Sequence, residues 1–586
     1  MIRLRTLQIA NYKSLKSMGF DDIGSLSIFV GANNSGKSSV LQAMEAPLVL
    51  LQGNQDTFPL PQGASPRDAI SDGDISQTAT YAYEFDIEKT DVQADDRLAQ
   101  VENGTVQLGI TIFGNSFGLR LTHYSVGGAA RASYQASNGS LMVQGGNFSP
   151  GSLSDQLKKP FTDASRLTLF DPLRLILNNI FSYKSNLSGS PRQVTFNGPG
   201  RLTSGTELAR ILYHWKAADD PRLAEYAELV DQVIPALGTI KGQSVGDGQG
   251  NIRLIFENGG REVNVADMGQ GVTQALVLLH KLITRDTDIV LIEEPETRLH
   301  PGAQRALFSA IKAASRYIQI ALTTHSPLLI DRRDVRNNFV FSLTTEQRTD
   351  VRRMRPARGF DYLRTALGLS IGDSLYAADV AILVDGWTEV GVIRALNARC
   401  EQSNPPLPHM DLDRVALIPV RRESELVPIC TVVHSMNVPC IVRLDEYSNA
   451  RTHIARAVHQ GLIDSDDVVH LKCSGGGECE TEDTLPIKDY LEALSAHYNL
   501  SISVEDFVTV QEDIAEQHGG HRPTVAQVCL KMLQDRNALE VGLRDYDKVD
   551  VALRVAEVIS LTNLPGWYTE LVTKTAEKLI GPGRRP

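Results

Sequence analysis

The stretch that most constrains the fold of this chain is Gly31 to Ser38, which reads Gly-Ala-Asn-Asn-Ser-Gly-Lys-Ser. It matches the pattern G-x-x-x-x-G-K-[ST] and lies between an apolar, strand-like run at residues 26–30 and a helical segment. In such a turn the glycines let the backbone wrap around phosphate groups, and the amides at the start of the helix attract their negative charge. The pattern therefore predicts an α/β fold with a phosphate-binding loop between a strand and a helix.

Individual side chains of this loop have separate expected roles. Lys37 is expected to reach the β- and γ-phosphate oxygens of ATP, and the Ser38 hydroxyl is expected to ligate Mg²⁺. A chance glycine turn is the alternative, and the flanking strand and helix argue against it. The predicted nucleotide-binding residues are Gly31, Asn33, Asn34, Ser35, Gly36, Lys37, Ser38 and Ser39.

A second feature is a pair of acids at the end of a buried strand. The apolar run 289–292 is followed directly by Glu293 and Glu294, and ligands bind at the carboxyl ends of the strands in an open α/β sheet. Neighbouring strand residues point to opposite faces, so the two acids can have different tasks. We expect Glu293 to support Mg²⁺ and Glu294 to orient or deprotonate the attacking water.

The rest of the chain is of ordinary globular composition. Its 586 residues predict several folded units. An alternating strand and helix series from residue 251 to 322 predicts a mostly parallel sheet, and a second, smaller α/β series runs from residue 380 to 471.

The charge balance limits the class of partner. With 58 Lys and Arg against 70 Asp and Glu, the chain as a whole is not a basic nucleic-acid coat. Residues 331–358 are locally positive, with eight Arg and four acids. A DNA contact and a solvated charged face both remain open for this segment.

The sequence favours a cytoplasmic setting. No run approaches the roughly 18 apolar residues needed to cross a bilayer. The six cysteines lack the density of a disulfide scaffold. We therefore expect a protein in a reducing compartment, with no membrane partner.

Two further motifs resemble a known family. Residues 293–301 read Glu-Glu-Pro-Glu-Thr-Arg-Leu-His-Pro, and residues 324–327 read Thr-His-Ser-Pro. Both resemble the ABC-type ATPase of the OLD (overcoming lysogenization defect) family. The resemblance implies that His325 is the switch histidine, which contacts the γ-phosphate, and that Glu294 and His325 are catalytic.

The segment before a predicted helix resembles another motif of the same family. Residues 267–271, Asp-Met-Gly-Gln-Gly, are similar to its degenerate signature sequence. The resemblance implies that Gly269, Gln270 and Gly271 complete the nucleotide site of a partner subunit, and hence a homodimer or higher homo-oligomer through the ATPase heads. An ordinary turn at a helix start is the other interpretation.

The second α/β series resembles a TOPRIM domain. Residues 381–389, 441–447 and 478–486 are similar to its first strand and turn, its Asp-x-Asp strand end and its later Glu-Asp-x-x-Pro segment. Hard divalent cations prefer oxygen ligands and can activate water against a phosphodiester. The resemblance implies catalysis and binding of Mg²⁺, or of Mn²⁺, by Asp385, Glu389, Asp445 and Glu482.

This sequence departs from the TOPRIM pattern at three places. Asp385 replaces the usual Glu, Tyr447 replaces the second Asp, and Arg421 or Arg422 lies in the region of a usual glycine. Asp385 is shorter by a methylene and can still reach a metal, whereas the acid lost at position 447 has no simple replacement. The departures weaken the nuclease interpretation.

These observations predict the following layout: an ABC-type ATPase head at 1–345 with an inserted helical, dimerising segment at about 151–245, a linker at 346–378, a Rossmann-like TOPRIM domain at 379–500, and a helical C-terminal region at 501–586. The leading interpretation is an ATP-regulated, divalent-metal-dependent DNA endonuclease in bacterial defence against phage, with the layout of Gabija-type or retron-associated nucleases. The competing one is an ATPase sensor or scaffold with an inactive TOPRIM-like domain, assembled with a separate effector. A helicase, a reverse transcriptase or a small effector protein are the partners that such systems imply.

Overall fold

A computed structural model describes residues 2–52, 69–74, 76–87, 105–113, 118–126, 129–135, 140–143, 146–148, 180–184, 205–244, 252–264, 268–285, 287–354, 378–420, 422–445, 448–471, 479–518, 521–536, 538 and 547–580. The chain divides into two compact units. The first comprises Met1–Ile330 and Asn337–Arg353, and the second comprises Asp331–Arg336 and Met354–Pro586.

The first unit is a mixed α/β structure. Its elements, in chain order, are β1 (Ile2–Tyr12), β2 (Leu15–Phe20), β3 (Leu26–Gly31), α1 (Lys37–Gln52), β4 (Thr78–Ile87), β5 (Thr105–Phe113), β6 (Gly118–Val126), β7 (Ala129–Gln135), β8 (Ser140–Val143), β9 (Gly146–Phe148), β10 (Ile180–Lys184), α2 (Gly205–Ala217), α3 (Arg222–Val233), β11 (Thr239–Ser244), β12 (Ile252–Asn258), β13 (Arg261–Asn264), α4 (Gln270–Thr284), β14 (Ile289–Glu293), α5 (Pro301–Ala314), β15 (Gln319–Thr324), β16 (Asn338–Leu343) and β17 (Thr349–Arg353).

A six-stranded sheet in the order β10-β14-β15-β3-β16-β17 carries the phosphate-binding loop. All its neighbours are parallel except β16 and β17, which are antiparallel. Alternate residues of its strands are buried on opposite faces: Phe29 and Leu291 on one face, Ile28 and Val290 on the other. Because both faces are covered, the strands are continuous apolar runs, as parallel strands usually are.

The prediction of a mostly parallel sheet for residues 251–322 is confirmed for β14 and β15 and is wrong for residues 252–256. Residues 252–256 lie in β12, which pairs antiparallel with β11 and β13 in a separate three-stranded sheet. Gly259 and Gly260 both have positive φ angles, 59° and 82°, which close the hairpin from β12 to β13.

An eight-stranded sheet covers one side of helix α1. Its strands run in the order β2-β1-β4-β5-β6-β7-β8-β9 with antiparallel pairing. The buried Gln319 joins this sheet to β15, since its side chain accepts from the Leu4 amide (2.7 Å) and donates to the Leu4 carbonyl (2.9 Å). The two sheets therefore share one core with α1 between them.

Helices α2 and α3 lie within the range predicted as a dimerising insert. Tyr226 is fully buried and donates to the Leu276 carbonyl at 3.0 Å, and the Trp215 ring stacks on His280 with centroids 5.0 Å apart. Their buried faces thus belong to the core of the first unit. Residues 151–179 and 185–204 lie outside the described residues.

The predicted linker begins inside the first unit. Residues 349–353 form β17, which is the edge strand next to β16. The remainder of the predicted linker, from residue 355 to 377, lies outside the described residues.

The second unit contains a small parallel sheet and a group of helices. Its elements are β18 (Val380–Val384), α6 (Trp387–Gln402), β19 (Val415–Pro419), α7 (Leu426–Ser435), β20 (Cys440–Arg443), α8 (Ser448–His459), α9 (Ile487–Tyr498), α10 (Val504–Gln517), α11 (Val525–Asp535), α12 (Lys548–Val558) and α13 (Gly566–Ile580).

The sheet of this unit has the order β19-β18-β20, with all strands parallel. Ile382 faces a core formed with α6 and the later helices, while Leu383 faces a core formed with α7 and α8. Residues 468–471, predicted as a further strand, contribute one parallel bridge from Val468 to Val442. The helices predicted for 501–586 are present, and they pack into the same core as the sheet.

Four described cysteines of this unit, Cys400, Cys430, Cys440 and Cys529, are buried free thiols, while Cys479 is disulfide-bonded. Among the described helices of both units, none has the length and apolar character to span a bilayer.

Candidate functional site

The phosphate-binding loop connects β3 to α1 as predicted. Lys37 is buried, and its ammonium group donates to the carbonyls of Gly31 (2.7 Å) and Ala32 (2.8 Å). Burial lowers the pKa of Lys37, and the nearby carboxylates of Glu294, Glu296 and Glu293 act in the opposite direction. The ammonium group is therefore held over the loop, close to the acids that follow β14.

The loop is packed so closely that it requires glycine at two positions. A Cβ on Gly31 would lie 2.3 Å from the Phe341 carbonyl oxygen, and one on Gly36 would lie 2.3 Å from the Thr349 hydroxyl. Gly36 also has a φ of 101°, in the region that favours glycine. The Thr349 hydroxyl lies 3.0 Å from the Ser35 carbonyl, so β17 supports the loop from outside.

The other predicted loop residues differ in exposure. Asn33 and Asn34 are exposed, Ser38 is half-buried, and Ser35 and Ser39 are buried. The outer part of the loop is thus open to solvent, while its ends are fixed in the core. The tight glycine turn and the buried lysine fit a triphosphate, whose oxygens such a loop surrounds with backbone amides.

The predicted acid pair lies at the same edge of the sheet as the loop. Strand β15 lies between β14 and β3, with Glu293 opposite Thr323 and Thr324 opposite Val30. Glu294 follows at a φ of 44°, and its amide donates to the Thr323 carbonyl at 3.0 Å. This left-handed conformation is uncommon for a residue other than glycine, and it turns the chain sharply after β14.

His325 lies beside Glu294, at the end of the next strand, β15. Its Nδ1 is 3.7 Å from Glu294 Oε1 and 3.3 Å from Glu296 Oε1. The imidazole is 49% exposed, whereas the Glu296 side chain is 3% exposed. The histidine therefore has one face against two carboxylates and one face towards solvent.

Glu296 was not among the predicted site residues. Its Oε1 accepts hydrogen bonds from the Thr324 hydroxyl (2.7 Å) and the His325 amide (2.9 Å). It thereby fixes the backbone that carries His325. Its place in the motif, directly after Glu294 and Pro295, was the available signal.

The signature-like segment lies at the start of α4. Gly269 is exposed, and no described atom lies within 4 Å of a Cβ built on it. Gly271 is buried, and a Cβ there would lie 2.6 Å from the Arg298 carbonyl oxygen. Asp267 and the side chain of Gln270 lie outside the described residues. The two glycines thus differ: one faces open space, and one packs against the loop after β14.

The Arg-rich segment 331–358 is largely ion-paired where it is described. Arg333 contacts Glu401, Asp411 and Asp413, while Arg336, Arg348 and Arg352 each pair with an acid two residues earlier. The local excess of positive charge is therefore partly neutralised, and the DNA contact remains a prediction.

A second site, here called the acidic pocket, is formed in the second unit by Asp385, Glu389, Asp445, Glu480 and Glu482. Asp385 directly follows β18, Glu389 is in the first turn of α6, Asp445 follows β20, and Glu482 lies in a short 3₁₀ turn. Three segments that are distant in sequence therefore meet at the carboxyl edge of the parallel sheet, and Glu389, Asp445 and Glu482 are all buried.

The acidic pocket holds an excess of negative charge. Burial raises the pKa of Asp385 to about 6 and that of Glu482 to about 8, and Glu389 acts in the same direction on both. Burial also raises the pKa of Asp445 well above its usual value, although Arg443 acts in the opposite direction. Several carboxylates in one desolvated place disfavour full ionisation.

Sequence reasoning missed the cation at the centre of this pocket. Arg443 is 0% exposed; its Nη1 donates to Asp445 Oδ1 (3.1 Å) and lies 3.6 Å from Glu389 Oε1. Its Nη2 donates to the Thr481 hydroxyl at 2.6 Å, and that hydroxyl donates to Glu389 Oε1 at 2.6 Å. An arginine in an otherwise apolar strand, two residues before Asp445, was the available signal.

The side chains of the acidic pocket are suitable donors for Mg²⁺ or Mn²⁺, but their arrangement does not fit a two-ion site. Among the described residues, no three His, Cys, Asp or Glu side chains are placed so that they could hold one ion.

Of the residues that depart from the TOPRIM pattern, Arg422 is exposed, while Arg421 and Tyr447 lie outside the described residues. Residues 472–478 also lie outside them.

Comparison with known proteins concerns the first unit. A family model described as "AAA ATPase domain" matches residues 2–99, and a model described as "AAA domain, putative AbiEii toxin, Type IV TA system" matches residues 158–331. Residues 2–99 and 158–331 are therefore similar to AAA-type ATPase domains. ATP binding, and with it the Mg²⁺ that such domains typically use, is therefore supported for the unit that holds Lys37. No curated protein matches the chain.

Among solved structures, the chain is similar to several SMC head domains. The first, an SmcHead bound to the C-winged helix domain of ScpA, is 13% identical with a TM-score of 0.39, over 60% of this chain and 97% of that one. The head from Thermotoga maritima is 12% identical with a TM-score of 0.32, over 60% and 99%. The head with a coiled coil and joint from Pyrococcus yayanosii is 11% identical with a TM-score of 0.38, over 62% and 100%.

Proposed function

We propose that this protein is an ATP-regulated DNA endonuclease of the OLD kind that requires a divalent cation and serves in bacterial defence against phage. The observation that carries the proposal is the acidic pocket, in which carboxylates from three distant segments meet at one edge of a parallel sheet. Since no three of the described acids are placed to hold one ion, the proposal requires that these side chains rearrange when a cation binds. The first unit supplies the ATPase activity, and its nucleotide state would govern cleavage by the second.

In the first unit, each residue has a role that its position supports. Lys37 binds the phosphate oxygens, while Ser38 and Glu293 would hold Mg²⁺, which neutralises phosphate charge when bound. Glu294 accepts a proton from the attacking water. His325 donates towards the γ-phosphate from the next strand, and Glu296 keeps it in place.

The start of α4 provides a way for nucleotide binding to control the association of two copies of the chain. Gly269 is exposed at the N-terminus of this helix, where backbone amides attract phosphate. In the proposed assembly, residues 269–271 of one copy complete the nucleotide site of another. ATP would then bring two heads together, and hydrolysis would release them.

The decisive experiment is cleavage of supercoiled plasmid by the purified protein with Mg²⁺ or Mn²⁺, with and without ATP. We expect cleavage by the wild type, and none by Asp385→Asn or Asp445→Asn, while both variants still hydrolyse ATP. Lys37→Ala should lose ATP hydrolysis and the effect of ATP on cleavage. Asp379→Asn is the matched control, because this partly exposed acid before β18 pairs with Arg414 outside the pocket.

A second candidate is favoured by a specific observation. The buried Arg443 already neutralises part of the acidic pocket, which favours a TOPRIM-like domain without nuclease activity. The protein would then be an ATPase sensor or scaffold that assembles with a separate protein, such as a helicase, a reverse transcriptase or a small effector. Intact ATP hydrolysis with no cleavage of linear, supercoiled or single-stranded DNA decides for this candidate.

A further inference from the structure

The central side chain of the acidic pocket is an arginine with no contact to solvent. Arg443 reaches Asp445, Glu389 and the Thr481 hydroxyl from the middle of the pocket. Moving a guanidinium from water into a protein interior is costly unless charged and hydrogen-bonding partners compensate it. Arg443 has both charged and hydrogen-bonding partners, so the arginine and the two acids stabilise one another.

The flat face of the Arg443 guanidinium also packs against an aromatic ring. Its central carbon lies 4.6 Å from the centre of the Trp567 ring, which is within the range of a cation–π contact. The ring itself is fixed, since Trp567 is buried and its indole nitrogen donates to the Thr484 hydroxyl at 2.9 Å. Arg443 therefore has one position, between the ring and the carboxylates.

We propose that Arg443 is an internal counter-ion of the acidic pocket, which competes with divalent cations for Glu389 and Asp445. The proposal rests on the cation requirement proposed above for the same pocket. A divalent ion that used these two acids would have to take oxygens that now accept hydrogen bonds from Arg443 and Thr481, and it would be repelled by the guanidinium charge.

The consequence is that the pocket has a low affinity for divalent cations. Any bound ion then depends on Asp385 and Glu482 as ligands. These two acids are not among the hydrogen-bond partners of the Arg443 guanidinium. Removal of the positive charge at position 443 should therefore increase cation affinity, because Glu389 and Asp445 become available as ligands.

The test is Mn²⁺ binding to the full-length protein without nucleotide or DNA, followed by calorimetry and by electron paramagnetic resonance of free Mn²⁺. We expect Arg443→Gln to bind Mn²⁺ at least about tenfold more tightly than the wild type, because a fully buried like charge is removed. Arg443→Lys should stay near the wild-type affinity, since it retains the charge. Arg414→Gln should also be unchanged, because Arg414 pairs with Asp379 at the surface.

Equal or weaker Mn²⁺ binding by Arg443→Gln overturns the proposal, as does tight binding by the wild type. If the single variant does not fold, the comparison is made between Asp445→Asn and the double variant Asp445→Asn/Arg443→Gln, in which no acid at position 445 is left uncompensated. The double variant should bind more tightly. Because no DNA is present, a failure of the endonuclease proposal leaves this result readable, and the reverse also holds.

Discussion

Among single residues, Glu296 has the contacts that bear most directly on the proposed ATP hydrolysis. It is buried, and one of its oxygens lies within 3.3 Å of His325 Nδ1 while also accepting from the His325 amide at 2.9 Å. A carboxylate in this place sets both the position of the imidazole and the charge beside it. We therefore expect Glu296 to be a positioning residue that acts through His325.

We expect Glu296→Gln to reduce kcat for ATP hydrolysis by about 10- to 100-fold, with ATP affinity nearly unchanged. The pH profile of kcat should also change, because the negative charge next to the imidazole is lost while the size of the side chain is kept. The measurement is steady-state hydrolysis over a pH series, together with nucleotide binding by calorimetry.

Glu346→Gln is the control, since Glu346 is exposed and pairs only locally with Arg348. A purely structural role for Glu296 would lower the melting temperature and leave the pH profile of the folded protein unchanged. That result would contradict the positioning role.

Among the elements, the N-terminus of α4 is positioned by close backbone packing against the loop after β14. Gly271 lies in the first turn of the helix against the carbonyl of Arg298, which itself has a φ of 65°. The helix start and the loop after β14 therefore fit together only when residue 271 lacks a side chain.

Gly271→Ala should destabilise the protein by about 1–3 kcal/mol, since the added Cβ would meet a backbone oxygen at 2.6 Å and the helix or the loop would have to shift. Gly269→Ala is the matched control, because no described atom lies within 4 Å of its Cβ and its φ is −60°. Thermal unfolding of the two variants in the same buffer checks this. Equal melting temperatures would show that the contact is not restrictive.

The elements that sequence reasoning predicted well depend on contiguous residues. The phosphate-binding loop and the acid pair after β14 are short motifs whose strand and helix context lies beside them in the chain. The pairing of β12 was not predicted, because an apolar strand does not by itself specify which strand it joins. Arg443, Thr481 and Trp567 could not be connected either, since they meet only after distant segments have packed.

At the scale of the whole molecule, the proposed pairing of heads has a direct test. Glu294→Gln should bind ATP and hydrolyse it slowly, because the group that accepts the proton from water is lost. Light scattering after size exclusion should then show a shift from one copy to two, or to a higher multiple, when ATP is added. Lys37→Ala should show no shift. If ATP does not change the mass of Glu294→Gln, nucleotide-driven pairing is contradicted.

The contact between Trp567 and Arg443 has a consequence for biosynthesis. The carboxylates come from residues 385 to 482, whereas the ring that holds their arginine lies in α13 and leaves the ribosome much later. Domains begin to fold while translation is still under way. In a nascent chain the carboxylates would therefore come together before Trp567 is available to hold Arg443 in place. The final charge balance of the pocket would be reached only after α13 has packed against it.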